Sequence, residues 1–285
     1  RNSKKISICD SLTEIRKARR DHKKIALLGI EGGHAIKNDL AILRTYRELG
    51  VIYMTLTWSN TNDWADSSND VERWGGLTDF GREVVQEMND IGMIVDISHV
   101  SDKAFWHALE TSTKPMIASH SSARAFSSHP RNMSNEMIMA LAKKGGVVFI
   151  NFYPVFIDQK FYDAHVKLAK RLQGKIKKMY KRYQTNPEMG GYAEDEIMQA
   201  KKDSLPSVTM NDVIRHIEHV VKIAGVESVG FGSDFDGTGF MPDDMQDCTS
   251  LPRLCDELQK RKFKSADIDK IASGNFLRVF SETVG

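Results

Sequence analysis

Cysteine is scarce in this sequence. The 285 residues hold three, Cys9, Cys248 and Cys255, with no CxxC spacing among them. That excludes a zinc ribbon and a disulfide framework; free thiols are the expectation, with a Cys248–Cys255 pair as the alternative. Long apolar runs are missing too, none approaching the ~18 residues that a membrane-spanning helix requires. Charge of one sign is not in excess: 40 Lys and Arg stand against 38 Asp and Glu, a net charge of +2. The overall balance therefore gives no case for nucleic acid or an acidic partner. No GxGxxG follows a strand-like run, which removes support for a dinucleotide-binding doubly wound sheet. What remains is an ordinary globular composition, 41% hydrophobic with seven prolines, long enough for a sizeable core.

The most informative stretch is residues 93–122. Two apolar runs, 93–97 and 116–118, lead into Ser98-His99 and Ser119-His120. Between them Ser101 can cap a helix over 103–110, so the stretch reads strand, capped helix, strand. Parallel strands joined this way end on one side of the sheet, and both imidazoles should face one pocket. A single strand-end histidine is usually structural. Two at equivalent positions in consecutive units raise the case for a metal site.

The same rhythm runs along the chain. Residues 25–30, IALLGI, form an unbroken apolar run of the kind expected for a strand buried on both faces, ending in Glu31-Gly32-Gly33-His34. A carboxylate at such a strand end is costly unless paired or metal-bound. The two glycines permit close backbone approach. Before this run, residues 6–8 form a short apolar patch and 12–20 a helix. After it come a helix at 40–49, a strand at 51–57 ending in Trp58, and a polar loop, 61–76, long enough to wall a site. Further helices are expected at 78–89 and 134–144, and a strand at 147–150 leads into Asn151-Phe152-Tyr153. A strand near 228–231 leads into Asp234 and Asp236. Residues 158–205 break the rhythm. They read as one long amphipathic helix with Lys or Arg at nine positions over 160–182, stopped by residues 183–187 and followed by an acidic helix at 193–200. The basic face reads as solvated rather than as a nucleic-acid or membrane arm. The helix from Thr209 carries His216 and His219, expected at the surface or rim.

Six βα units with polar strand ends predict a (β/α) barrel of the TIM type, 1–285 forming one domain with a helical insertion at 158–205. In that fold Glu31, His99, His120 and Asp234 share one pocket. Two imidazoles with carboxylates suit Zn²⁺ and tolerate Mn²⁺ or Co²⁺.

The motifs GIEGGH (29–34), TLTWSN and TNDWAD (55–66), DISHVS (96–101), SHSSAR (119–124), HPRN (129–132), NFY (151–153) and GSDFDG (232–237) resemble the membrane (renal) dipeptidase family, peptidase family M19, in the family's order. The resemblance implies a zinc-dependent dipeptidase, able in some members to cleave before a D-residue, working through a metal-bridging hydroxide and two zinc ions per complete site. It implies Glu31 as the bridging carboxylate, His99 and His120 as ligands of the second zinc, and Asp234 as the proton-handling catalytic acid that also contacts substrate. It further implies Arg131 as the group that binds the substrate carboxylate, with Tyr153 also on the substrate side. The family's first strand ends in His-x-Asp, and no His-x-Asp occurs here. The match begins just before the third strand, so the expectation is six units of an eight-unit barrel, with the first two outside them. The family often has His where Trp58 stands. The alternatives are a degenerate or single-metal non-catalytic relative, or another amidohydrolase of the same barrel type. Dipeptide is the expected partner, nucleic acid is not, and a homodimer is implied by resemblance alone. The compartment stays open between bacterial cytoplasm and an exported location.

Overall fold

The computed structural model describes residues 4–183, 189, 193 and 196–285. Strands and helices alternate: β1 (Ile6–Ile8), α1 (Leu12–Arg20), β2 (Lys24–Ala26), β3 (Leu28–Glu31), α2 (Leu40–Glu48), β4 (Val51–Thr55), α3 (Asp79–Asp90), β5 (Ile94–Asp96) and α4 (Asp102–Thr111). They continue with β6 (Ile117–Ser121), α5 (Asn135–Lys143), β7 (Val147–Asn151), α6 (Pro154–Ile157), α7 (Gln159–Arg182), α8 (Met210–Ala224), β8 (Val229–Ser233), α9 (Leu251–Lys260), α10 (Ser265–Asp269) and α11 (Asn275–Thr283).

The helix starts are written in the sequence. Ser11, Asp39, Thr78, Ser101, Ser134 and Asp158 each accept a hydrogen bond from a backbone N–H of the first turn that follows. Thr209 and Asp212 close a reciprocal capping box at α8. These caps satisfy N–H groups that have no partner inside the helix.

The sheet is parallel throughout, in the order β3-β4-β5-β6-β7-β8, with β1 paired to β2. Only Leu27 separates β2 from β3, so the run expected as one strand is broken there. Its first half pairs with β1 and its second with β4. It is not buried on both faces as expected: Leu28 is 37% exposed, and Ile8 on β1 is 62% exposed. These strands lie beside the open margin of the sheet, since among the described residues no ladder joins β1 to β8. The N-terminal patch and its helix also turn out to be a βα unit in their own right. The six expected units thus become seven parallel strand positions. Unlike β5, which lies within a five-residue apolar run, the three-residue patch of β1 has too little sequence around it to mark a strand.

Side chains on β5–β7 alternate between two cores. Val95, Ala118, Val148 and Ile150 join the large cluster shared with the surrounding helices. Ile94, Ile117, Val147 and Phe149 join a second cluster with Ile15 of α1 and Val279 and Phe280 of α11. This is the two-sided burial of a parallel α/β architecture. Helix α7 buries Phe161, Leu168 and Leu172 and leaves its nine basic side chains exposed, as expected. Of the expected break at 183–187 and helix at 193–200, residues 184–187, 194 and 195 lie outside the described residues, and 196–199 are helical. No helix among the described residues is long and apolar enough to cross a membrane. All three thiols are free.

Register sets up the site. Glu31 pairs with Thr55, Thr55 with Asp96, and Asn151 with Ser233. The polar carboxyl ends of the strands therefore stand at a common level.

Candidate metal centre and active site

Three side chains converge at the ends of β3, β5 and β6. The Nε2 atoms of His99 and His120 lie 2.8 Å apart, and Glu31 Oε1 lies 3.0 Å from the first and 3.2 Å from the second. Among the described residues this is the group of His, Cys, Asp and Glu whose ligand atoms cluster tightly enough for a cation. The turn after β3 allows it. A Cβ at Gly33 would stand 2.5 Å from the Leu56 carbonyl, so only glycine lets this turn press against the end of β4. His99 holds φ 72°, a left-handed conformation costing a non-glycine residue ~1–2 kcal/mol, which the site's geometry must offset.

The electrostatics suit ligands. Burial and the nearby Arg131 charge push the His99 pKa down to about 3, against the pull of Glu31, leaving a neutral imidazole. Burial alone would raise the Glu31 pKa, but the adjoining His120 and His99 imidazoles outweigh it and hold the carboxyl well below its usual range. One proton cannot satisfy three mutual contacts between two imidazole nitrogens and a carboxylate oxygen. A divalent cation can, so the donor set fits a borderline metal such as Zn²⁺.

Asp234 follows β8 at φ 71°, with Ser233 at φ 33° and Asp236 at φ 66°. Its Oδ2 accepts from Asn151 Nδ2 at 2.9 Å, while Asn151 Oδ1 accepts from the Tyr153 N–H at 2.7 Å. A backbone N–H can only donate, so Asn151 is oriented with its amide nitrogen toward Asp234. A Cβ at Gly237 would come within 2.2 Å of Asp234 Oδ1, so glycine makes room for this carboxylate. Asp234, Glu31, His120, Tyr53 and Thr55 line one cavity of about 330 Å³. The pKa of the Tyr53 phenol is pushed up to about 12 by burial and by Asp96, Glu31 and Asp234.

Arg131 is 4% exposed. Its guanidinium reaches the His120 carbonyl at 3.4 Å and Ser121 Oγ at 3.5 Å, and lies over the Phe156 ring. Burial pushes its pKa down to about 10, with Asp234, Asp96 and Glu31 pulling the other way. A buried guanidinium held by such long contacts keeps hydrogen-bonding capacity that the protein does not fill.

Not every expected residue meets at this point. Tyr153 packs edge-on against Phe156 and His165, beside the ring under Arg131, and is not among the residues lining the cavity. Trp58 is half-exposed beside Gly32, its carbonyl accepting from Ser67 Oγ at 2.7 Å. His216, expected at the surface or rim, is fully buried. Its Nδ1 accepts from the Ala123 N–H at 3.1 Å and its Nε2 donates to the Ile157 carbonyl at 2.9 Å, fastening the loop that carries Arg131 onto α8. Burial holds its pKa down at about 4. Asp96 escaped sequence reasoning altogether. It is fully buried beneath the histidine pair, and its signal was there: a carboxylate inside the apolar run MIVDI, as informative as Glu31 after IALLGI.

Residues 1–284 match the family described as Membrane dipeptidase (Peptidase family M19). The chain belongs to peptidase family M19. Among curated relatives, Dipeptidase 3 of Rattus norvegicus is 31% identical over 265 residues, covering 91% of this chain and 45% of that protein. The chain thus spans less than half the length of this curated relative. Among solved structures, the probable dipeptidase PvdM from Pseudomonas aeruginosa superposes with a TM-score of 0.83 at 24% identity, covering 99% of this chain and 74% of that one. A metallo peptidase from Rhodobacter sphaeroides, liganded with a phosphinate mimic of the dipeptide L-Ala-D-Ala, gives 0.76 at 24% identity, covering 98% and 69%. These likenesses establish the α/β architecture of the M19 fold for this chain.

Proposed function

We propose that this chain carries the catalytic face of a zinc-dependent dipeptidase, with Glu31, His99 and His120 holding a metal ion. The observation that carries this reading is the convergence of those three side chains beside a buried, under-paired Arg131. When bound, zinc would supply Lewis-acid activation of water and of the peptide carbonyl. The chain's own residues do the rest. Arg131 receives the substrate's free carboxylate, which restricts the site to short peptides with a terminal carboxylate nearby. Asp234, fixed by Asn151, accepts a proton at a carboxylate oxygen and returns it to the departing amine. Tyr153 supports the Phe156 ring on which Arg131 rests. Dipeptides ending in a D-residue are the substrates to try first, because a metallo peptidase of the same fold is liganded with a phosphinate mimic of L-Ala-D-Ala.

In the family a complete site holds two zinc ions; this sequence has no His-x-Asp, and the described residues offer ligands for one. The test is hydrolysis of L-Ala-D-Ala by the purified, zinc-equilibrated chain, compared with the same dipeptide as its C-terminal amide. The reading expects turnover of the acid and little of the amide. No turnover of any dipeptide while zinc remains bound would favour the single-metal binding relative.

A further inference from the structure

The Asp96 carboxylate accepts four hydrogen bonds. Oδ1 takes the Ser98 N–H at 3.0 Å and the Ser119 N–H at 2.9 Å; Oδ2 takes Thr55 Oγ1 at 2.8 Å and Ser119 Oγ at 2.5 Å. Ser119 Oγ also lies 2.7 Å from His120 Nδ1. A serine hydroxyl has one proton, and a carboxylate only accepts. The Ser119 proton therefore points to Asp96, because its other neighbour, Ser98 Oγ, is 3.4 Å away. Ser119 Oγ is left as an acceptor, and the partner it faces must be an N–H on His120 Nδ1. With Nδ1 protonated, a neutral His120 has its lone pair on Nε2, the atom that faces Glu31 and His99. The backbone completes the clamp, since the His120 N–H donates to Ser98 Oγ at 3.0 Å.

His99 supplies the contrast. Its Nδ1 is buried with no hydrogen-bond partner among the described residues. A proton on its Nε2 then fits the 2.8 Å contact, donating to the His120 lone pair in the metal-free protein.

We propose that Asp96 and Ser119 are a positioning pair that locks His120 in the Nδ1–H tautomer, presenting its Nε2 lone pair to the cation at Glu31. This rests on the metal reading and adds a cause to it. A ligand histidine with one tautomer and one ring orientation binds metal without first reorganising, and such outer partners are commonly worth ~10–100-fold in affinity.

The test uses the full chain with ¹⁵N-labelled histidine. In the metal-free protein, long-range ¹⁵N–¹H correlation should show His120 with a protonated Nδ1 and a bare Nε2. Ser119→Ala should lose that preference and bind Zn²⁺ ~10–100-fold more weakly in chelator competition, with an unchanged circular dichroism spectrum. Ser119→Thr, which keeps the hydroxyl, should restore both. Asp96→Asn sets an amide against four donors and is at risk of misfolding, so the Ser119 pair of variants carries the test. A protonated Nε2 on His120 in the metal-free wild type would overturn the proposal, as would a Ser119→Ala protein with unchanged tautomer and unchanged zinc affinity. If the tautomer is as stated but the wild type binds no zinc, the metal reading fails and the tautomer assignment stands.

Discussion

Arg131 shows how much one side chain can be asked to do. Its guanidinium is out of water, yet its protein contacts are long, so a substrate carboxylate would supply the strong, charge-assisted bonds it lacks. Arg131→Met should therefore raise KM for dipeptides ~10–100-fold and leave the weak hydrolysis of dipeptide amides unchanged, as steady-state kinetics on both substrates would show. An equal loss on both would remove its role in carboxylate recognition. Asp234→Asn should instead lower kcat by ~10²–10⁴-fold with zinc content unchanged. Much of this residue-level picture was readable beforehand. Glu31, His99, His120 and Asp234 all follow short apolar runs, and the structure brings them to one cavity or its edge. Asp96 was as legible as Glu31, a carboxylate set in the apolar run MIVDI, but the histidine that follows drew the reading past it. Ser119 gave no signal, since its importance lies in which way one proton points.

At the level of elements, capping and loop fastening can be measured. Ser101 starts the helix between the two histidine strands, accepting from the Ala104 N–H at 3.2 Å. Ser101→Ala should cost about 1 kcal/mol, read as a lower urea midpoint at unchanged slope. His216 adds a pH dependence. Its folded pKa of about 4 lies below the ordinary histidine value, so the unfolded chain binds more protons between the two. Stability is fully present above about pH 6.5 and falls as the pH drops toward 4, by up to about 1.4 kcal/mol per unit for this one group. Urea unfolding of wild type across that window should show the decline, with the His216 ring resonances titrating only near its lower end. A His216 that titrates near 6.5 in the folded protein would contradict its burial. Elements with several apolar positions or a capping residue were legible in sequence. The three-residue β1 and the break at Leu27 were not, because each depends on which neighbour a strand pairs with rather than on its own composition.

For the molecule as a whole, the parallel order of the sheet turns a linear pattern into a site. Each strand from β3 to β8 brings a polar residue to its carboxyl end, and register places Glu31, Thr55 and Asp96 in one row. The helices and the two apolar cores fix that row, and Glu31, His99 and His120 belong to neither core. The site and the fold can thus be separated by experiment. The most direct measurement is zinc per chain, by elemental analysis after equilibration with Zn²⁺ and removal of the excess, on the wild type and on His120→Ala. The account predicts zinc bound in at least one equivalent to the wild type and lost from the variant, with the same circular dichroism spectrum for both. Zinc retained in full by a folded His120→Ala protein, or absent from the wild type, would contradict it.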